Sequence, residues 1–425
     1  MAGEADPIAT AMSQLLGAQA ARIVAPAAPP GAEIRALRAT QVLLRPARRV
    51  TVTYRATLER AGGGTVGDTI VATADRDGLP RAAATSRAGS ETVAVWRAPE
   101  DPLLPGMERA LDAGFAHRLL ADAGVDATAA RAELRAYRPG RRAVVQVAPV
   151  QQAQRRLVFS RSAGGTLRAA PRQDVPALYL KVLRPDRARA VATVHERLLP
   201  VVPAPPCAFA DGPGILRLGA LRGASLGACL RRGNPAPPDP GDLIALLERL
   251  DQAGLRGSPP AGGSDARVLR YTTLLRALVP EEGERLKRLE SALTGAQRQP
   301  TATVHGDFHE GNVLVGSEGI SGLLDVDDAG PGERVDDLGL MIGRIWSLAH
   351  TRAGEPALRY CEELLRRSDA RVDPAELRRR VAIALVGRAT GPFRNQLDGW
   401  RGETRRRLEL AERWTVARVS TSGGA

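Results

Sequence analysis

Residues 305–325 constrain this chain more than any other stretch. His305-Gly306-Asp307-Phe308-His309-Glu310-Gly311-Asn312 leads into the apolar run Val313-Leu314-Val315. Gly316-Ser317-Glu318-Gly319 separates it from a second run, Ile320 to Leu324, which ends on Asp325. Two short apolar runs split by a Gly-bounded segment predict a β-hairpin. With a symmetric four-residue turn, Val315 faces Ile320 and Asn312 faces Leu323. Asp325 then falls two residues on, on the same face as Asn312, because strand side chains alternate. Diagonal neighbours on one face lie roughly 7–8 Å apart and opposed ones about 4.5–5.5 Å. Either spacing lets an amide and a carboxylate share one magnesium ion, whose ligand distances are about 2.0–2.1 Å. Asp307 sits in the loop entering the hairpin and can project into the same place. Transfer of a phosphoryl group from ATP needs such a set: a carboxylate to orient a hydroxyl, and an amide plus a carboxylate for the metal. A polar-ended surface hairpin would also use Asp and Asn, but it would not need all three at this spacing.

The pattern His-Gly-Asp-x-x-x-x-Asn, then apolar-apolar-Asp, then Val335-Asp336-Asp337-Leu338, resembles the aminoglycoside phosphotransferase and choline kinase-like family. The resemblance is specific over residues 300–345, weaker from 130 to 230, and says little about 1–110. It implies an α+β, protein-kinase-like bilobal fold, with a small β-rich N-lobe, a mostly helical C-lobe and here an N-terminal β-rich extension. It also implies that Asp307 is the catalytic base and that Asn312 and Asp325 hold Mg2+. Asp337 would brace the catalytic loop from a helix start, and His305 would orient that loop by hydrogen bonding. Asp327 in Asp325-Val326-Asp327-Asp328 is either a second metal ligand or a turn residue.

Lysine usage narrows the nucleotide site. The chain carries 60 Lys plus Arg, of which only Lys181 and Lys287 are lysines. Lys181 lies in Ala177-Leu178-Tyr179-Leu180-Lys181-Val182-Leu183, a buried-strand pattern, and a buried ammonium needs an anion. In kinase-like folds such a strand lysine reaches the ATP phosphates and pairs with a helix glutamate. Arg184-Pro185-Asp186 signals a helix start, after which Ala188, Ala192, Glu196 and Leu199 fall on one face, making Glu196 the candidate partner. Lys287, in Glu284-Arg285-Leu286-Lys287-Arg288, reads as a solvated helix residue. Upstream, Arg138-Pro139-Gly140-Arg141-Arg142 lies between two strand-like runs, and the resemblance implies that this hairpin, with Gly140 at its centre, covers the phosphates. By analogy, Leu218 to Leu221 would meet the adenine edge at a hinge.

Composition bounds the remainder. Net charge is +13 with aromatics at 3%, so the cores should be aliphatic. The arginines are scattered, without nucleic-acid-binding motifs or interleaved aromatics, which disfavours a nucleic-acid partner. Cys207, Cys229 and Cys361 are unpaired in spacing, pointing to a reducing cytoplasm. The N-terminus lacks a basic n-region, and no long uncharged apolar stretch predicts a membrane span. Residues 340–425 hold 17 Arg against 10 Asp plus Glu. A polycationic acceptor fits that surplus poorly; a neutral or anionic hydroxyl compound fits better.

Along the chain, 1–31 reads as a tail and linker, 32–106 as an accessory β-rich region, 107–221 as the N-lobe and 222–425 as the C-lobe. Arg45-Pro46-Ala47-Arg48-Arg49 echoes Arg138-Pro139-Gly140-Arg141-Arg142, either as a duplicated hairpin or as a coincidence of Arg and Pro abundance. Val150 to Pro176 reads as a polar insertion. Trp346, His350, Phe393 and Trp400, the large C-terminal residues, read first as core or interhelix packing, with Phe393 and Trp400 the better pocket candidates of the four. Two functions compete: an ATP-dependent small-molecule kinase, and a non-catalytic nucleotide-binding accessory protein on the same fold.

Overall fold

The computed structural model describes residues 6–81, 83–150, 178–255, 257 and 263–416. The insertion read between Val150 and Pro176 lies outside them. The chain divides into two compact units, one of residues 1–97, 193–205 and 221–425, the other of residues 98–192 and 206–220.

The first unit opens with helix α1 (Pro7–Leu16), started by Asp6, whose carboxylate accepts from the Ile8 amide at 3.0 Å with proline at the first helical position. Helix α2 (Ala20–Val24) follows, then strands β1 (Ala32–Arg45), β2 (Arg49–Arg60), β3 (Thr65–Asp75), β4 (Ala84–Ala88) and β5 (Glu91–Arg97). These form an antiparallel sheet in the order β1-β2-β3-β5-β4. The apolar face of β2, Val50, Val52, Tyr54, Ala56 and Leu58, is fully buried against Ile8, Ala11 and Leu15 of α1. Tyr54 donates its hydroxyl to the Leu15 carbonyl at 2.6 Å. Residues 7–24 are therefore part of the module, not the tail that the sequence suggested. The alanine-rich composition concealed the stripe, and a sheet with one apolar face must bury it.

The second unit carries helices α3 (Met107–Ala110), α4 (Ala113–Asp122) and most of α5 (Pro185–Leu198). Its strands are β6 (Ala129–Arg138), β7 (Arg142–Val150), β8 (Leu178–Leu183), β9 (Cys207–Phe209) and β10 (Ile215–Gly219). Their order is β6-β7-β8-β10-β9, the same as in the first sheet. Here α4 supplies the cover, with Phe115, Ala116, Leu119 and Leu120 packed on Ala143, Val145, Val147 and Leu180. The two Arg-Pro turns match as well. Arg48 N–H donates to Arg45 O and Arg141 N–H to Arg138 O, both at 3.0 Å, with Ala47 at φ 57° and Gly140 at φ 65°. Two residues past each turn, Thr51 pairs with Thr73 and Val144 with Lys181. The sequence echo is thus an echo of structure, and the first copy holds a threonine where the second holds its lysine.

The rest of the first unit is mostly helical: α6 (Leu226–Arg232), α7 (Pro240–Leu250), α8 (Gly263–Leu278), α9 (Gly283–Leu293), α10 (Arg334–Leu348), α11 (Gly354–Asp369), α12 (Pro374–Ala389), α13 (Gly391–Arg394) and α14 (Trp400–Val416). Short strands β11 (Ala224–Ser225), β12 (Thr301–Val304), β13 (Val313–Gly316), β14 (Gly319–Leu323) and β15 (Gly330–Glu333) sit among them. Two glycines let α10 and α12 approach closely. A Cβ on Gly339 would meet Arg380 Cβ at 2.3 Å, and one on Gly343 would meet Ala384 Cβ at 3.1 Å. Arg380, 3% exposed, is held by Glu376, Glu333 and Asp336 at 2.7–2.9 Å. Phe393 and Trp400 stack edge-on at 5.0 Å, and Phe393 is buried in the core of the N-terminal sheet. Their role is packing, as the sequence favours for the large residues of this region. No described helix is long and apolar enough to cross a membrane.

Candidate active site

The catalytic-loop candidates are locked from below by α10. Asp337, 1% exposed, accepts from the His305 amide at 2.6 Å and from the Gly306 amide at 3.0 Å. Burial pushes its pKa up to about 6, against the opposing pull of His305 and of the two amide donors. Gly306 has φ +82°, and a Cβ there would lie 2.8 Å from the Asp328 carbonyl oxygen, so only glycine fits this turn.

His305 is fully buried and its two nitrogens have different duties. Nδ1 accepts from the Asp307 amide at 3.2 Å, which leaves Nε2 to donate to the Leu324 carbonyl at 2.9 Å. One imidazole therefore ties the loop of Asp307 to the strand end immediately before Asp325. Asn312 completes the tie. Its Nδ2 donates to Asp307 O at 3.0 Å, and its own carbonyl accepts from the Leu324 amide at 2.7 Å.

The hairpin differs in register from the expectation. Val315 does face Ile320, but Gly316 pairs with Gly319 around a two-residue turn, and a bulge between Leu314 and Val315 sets Val313 opposite Leu323. Asn312 thus lies beside Leu324 rather than opposite Leu323. A bulge inserts one residue and flips the face of all that follow. The compensation is local: Asp325 adopts φ 56°, ψ 45°, a left-handed conformation uncommon for a non-glycine residue. Among the described residues no group of three or more His, Cys, Asp or Glu could hold a metal ion. The oxygens here that could hold a hard cation are the Asn312 Oδ1, left over once Nδ2 is engaged, and the Asp325 carboxylate.

Two neighbours of Asp307 escaped the sequence reading. His309 Nε2 stands 3.8 Å from Asp307 Oδ2, while Nδ1 accepts from the Gly311 amide at 3.0 Å. Burial and the nearby Arg344 lower its pKa, favouring the neutral ring. Glu310 accepts a bidentate pair from Arg344, Nε at 2.9 Å and Nη2 at 3.0 Å. Burial opposes its ionisation, but that pair prevails and holds its pKa below the ordinary value. His309 and Glu310 stand in the run that carries Asp307, but Arg344 lies 34 residues from Glu310, so their pairing is a product of the fold.

Helix α5 corrects the sequence reading most. Its buried positions are Ala188, Val191, His195 and Leu198, whereas Glu196 and Leu199 are exposed. His195, 2% exposed, places Nε2 3.6 Å from Asp327 Oδ1, and its Nδ1 is 3.1 Å from Pro205 O. Asp327 is itself 5% exposed and packed inward. Glu196 is therefore not a member of a buried stripe, and the carboxylate drawn to this helix comes from the Asp325-Val326-Asp327 segment.

In the second unit Lys181 is 4% exposed on β8, flanked by Val144 of β7 and Leu216 of β10. Leu218 on β10 is buried; Leu221, in the other unit, is half-buried. The Gly140 amide is committed to Asp101 Oδ2 at 2.8 Å, so in this arrangement it is not free to meet a phosphate. The same buried carboxylate accepts from Tyr137 Oη at 2.7 Å and from the Leu103 amide at 2.9 Å. Asp101 fixes the turn from 39 residues away along the chain, a contact that only the fold makes.

Asp307, Asn312 and the strand end before Asp325 are thus held together by one network of hydrogen bonds. Residues 139–378, more than half of the chain, match the phosphotransferase enzyme family (APH), and the chain belongs to that family. The fold is accordingly kinase-like, with a β-sheet N-lobe and a helical C-lobe. Similar solved structures include macrolide 2'-phosphotransferase MphH from Brachybacterium faecium: 15% identity, 68% of this chain and 96% of that one, TM-score 0.41. Aminoglycoside phosphotransferase APH(4)-Ia shares 11% identity over 70% of this chain and 97% of its own, TM-score 0.46. Spectinomycin phosphotransferase APH(9)-Ia, solved with ADP and spectinomycin, shares 14% over 72% and 98%, TM-score 0.44. A comparison with curated proteins found no match.

Proposed function

We propose that the protein is an ATP-dependent kinase that phosphorylates a hydroxyl of a small neutral or anionic molecule. The observation that supports this best is the double use of His305, which sets Asp307 and the strand end at Asp325 in one rigid frame. Asp307 acts as the base, accepting or orienting the acceptor's hydroxyl proton. Its carboxylate is 45% exposed at the side chain, so a ligand can reach it. Asn312 and Asp325 hold Mg2+, which would neutralise charge on the transferring phosphoryl group. Lys181 serves the nucleotide phosphates from the β-rich lobe, and Leu218 and Leu221 the adenine edge. Glu196, being exposed, has no part in this scheme, and the contribution of Gly140 is the shape of its turn. Catalysis of this kind is positioning and electrostatics more than covalent chemistry.

The test is ADP release from Mg·ATP by the purified full chain across a panel of hydroxyl compounds, with Asp307→Asn as control. Acceptor-dependent release that the variant lacks supports the kinase. Tight nucleotide binding with no release from any acceptor would favour the accessory-protein alternative.

A further inference from the structure

Beside the loop of Asp307 stands a cation, Arg388, that makes no ion pair among the described residues. Helices α10 and α12 run parallel in step: Gly339 meets Arg380, Gly343 meets Ala384, and one turn further Arg388 Nε donates to Ser347 Oγ at 3.2 Å. Among the described residues, no carboxylate lies within ion-pair distance of Arg388, and its two terminal nitrogens make no hydrogen bond. The acids close by are taken. Glu310 is clasped by both ends of Arg344. Glu403 is held by Arg407 at 3.0 Å, and Arg407 in turn donates to the Arg388 carbonyl at 2.9 Å. Burial, Arg344 and Arg407 together pull the Arg388 pKa down to about 10, against the weaker opposing pull of Glu310, so the surplus charge around it is positive.

A half-buried guanidinium among like charges is costly unless an anion meets it. Its planar fork, with both terminal nitrogens free, matches a carboxylate or phosphate in two-point contact. The place is relevant to the reaction. Arg344 anchors Glu310, three residues after Asp307, and His309 bridges the interval, 3.7 Å from Glu310 and 3.8 Å from Asp307. We propose that Arg388, backed by Arg344, recognises an oxyanion, carboxylate or phosphate, carried by the hydroxyl acceptor. This inference rests on the kinase reading of the same site and narrows its acceptor from neutral or anionic to anionic. A polycationic acceptor would add like charge, and a neutral one would leave Arg388 unanswered.

Two measurements on the full chain test it. The first is the thermal midpoint in sodium sulfate against sodium chloride at equal ionic strength, for the parent chain, Arg388→Gln, Arg388→Lys and the exposed control Arg359→Gln. Sulfate should raise the midpoint of the parent and the control by more than that of Arg388→Gln, which keeps only the general salting-out shift, with Arg388→Lys between them. Full retention of the shift in Arg388→Gln overturns the proposal. The second is ADP release with matched pairs, glucose and gluconate, glycerol and glycerate. An anionic member should exceed its neutral partner in kcat/KM by about tenfold, the scale of one charge-assisted contact. The advantage should vanish in Arg388→Gln with the KM for ATP unchanged. Equal use of both members of a pair also overturns it. If no member is phosphorylated, the sulfate arm alone decides. Asp307→Asn separates the two readings, since it should abolish ADP release while keeping the sulfate shift.

Discussion

His195 on α5 places its Nε2 3.6 Å from the Asp327 carboxylate, and both side chains are buried. The helix is therefore joined to the segment that follows Asp325 through histidine, one residue before the glutamate that periodicity favoured. His195→Ala removes the contacts with Asp327 and Pro205 and leaves a void. It should destabilise the protein by about 2–3 kcal/mol, the scale of a lost buried polar contact plus a cavity. Glu196→Ala, at an exposed position, should stay within about 0.5 kcal/mol and leave the KM for ATP unchanged. Denaturant melts and ATP kinetics on both variants check this, and the opposite ranking would restore Glu196 to the site.

Asp307→Asn should keep fold and nucleotide binding but lower turnover by at least about a hundredfold, the scale of a lost general base. Its side chain touches no core, so the melting temperature should hold. Near-parental turnover would remove Asp307 from the chemistry.

Asn312→Ala and Asp325→Ala should each raise the magnesium concentration needed for half-maximal rate, as expected for ligands of one ion. Titrating Mg2+ at fixed ATP reads this directly. A variant with an unaltered magnesium curve is not a ligand. Asn312→Ala should also loosen the loop, since its amide holds the Asp307 carbonyl.

Lys181→Arg retains charge but replaces a compact ammonium with a broad fork at a position 4% exposed. The KM for ATP should rise at least about tenfold, the cost of a misplaced charged contact. Lys287→Arg, on an exposed helix position, should change nothing. Equal behaviour of the two would mean that Lys181 does not serve the nucleotide.

Asp337 carries the pH dependence that the site predicts. Its pKa in the fold, about 6, lies above its ordinary value of 3.8, so the native state holds a proton that the unfolded chain releases. Its contribution is complete below about pH 4 and is lost as pH rises through 6. At about 1.4 kcal/mol per pH unit the loss totals about 3 kcal/mol. Asp337→Asn does not titrate, so the stability gap between parent and variant should narrow between pH 4 and 7. Urea midpoints across that range measure it; a constant gap would mean that Asp337 is ionised throughout.

The family was legible in the sequence, and so was the run of polar residues from which the site is proposed. His305, Asp307, Asn312, Asp325 and Asp337 lie close in the chain, and their spacing survives any packing of the remainder. The sequence also revealed the repeated Arg-Pro turn, because a turn is a local structure. What depends on packing between distant segments became legible in the fold alone. The bulge at Leu314 shifted the hairpin register. The rotation of α5 chose His195 over Glu196. The apolar face of β2 drew the N-terminal helix onto it, and Asp101 claimed the Gly140 amide. The pairing of Glu310 with Arg344, and the solitude of Arg388 beside them, follow from how α10 and α12 meet. Periodicity reports that a helix has an apolar face, but a single polar residue can ride on either side of it. Which one is buried depends on the partner that waits there, and a sequence read in order does not contain that fact.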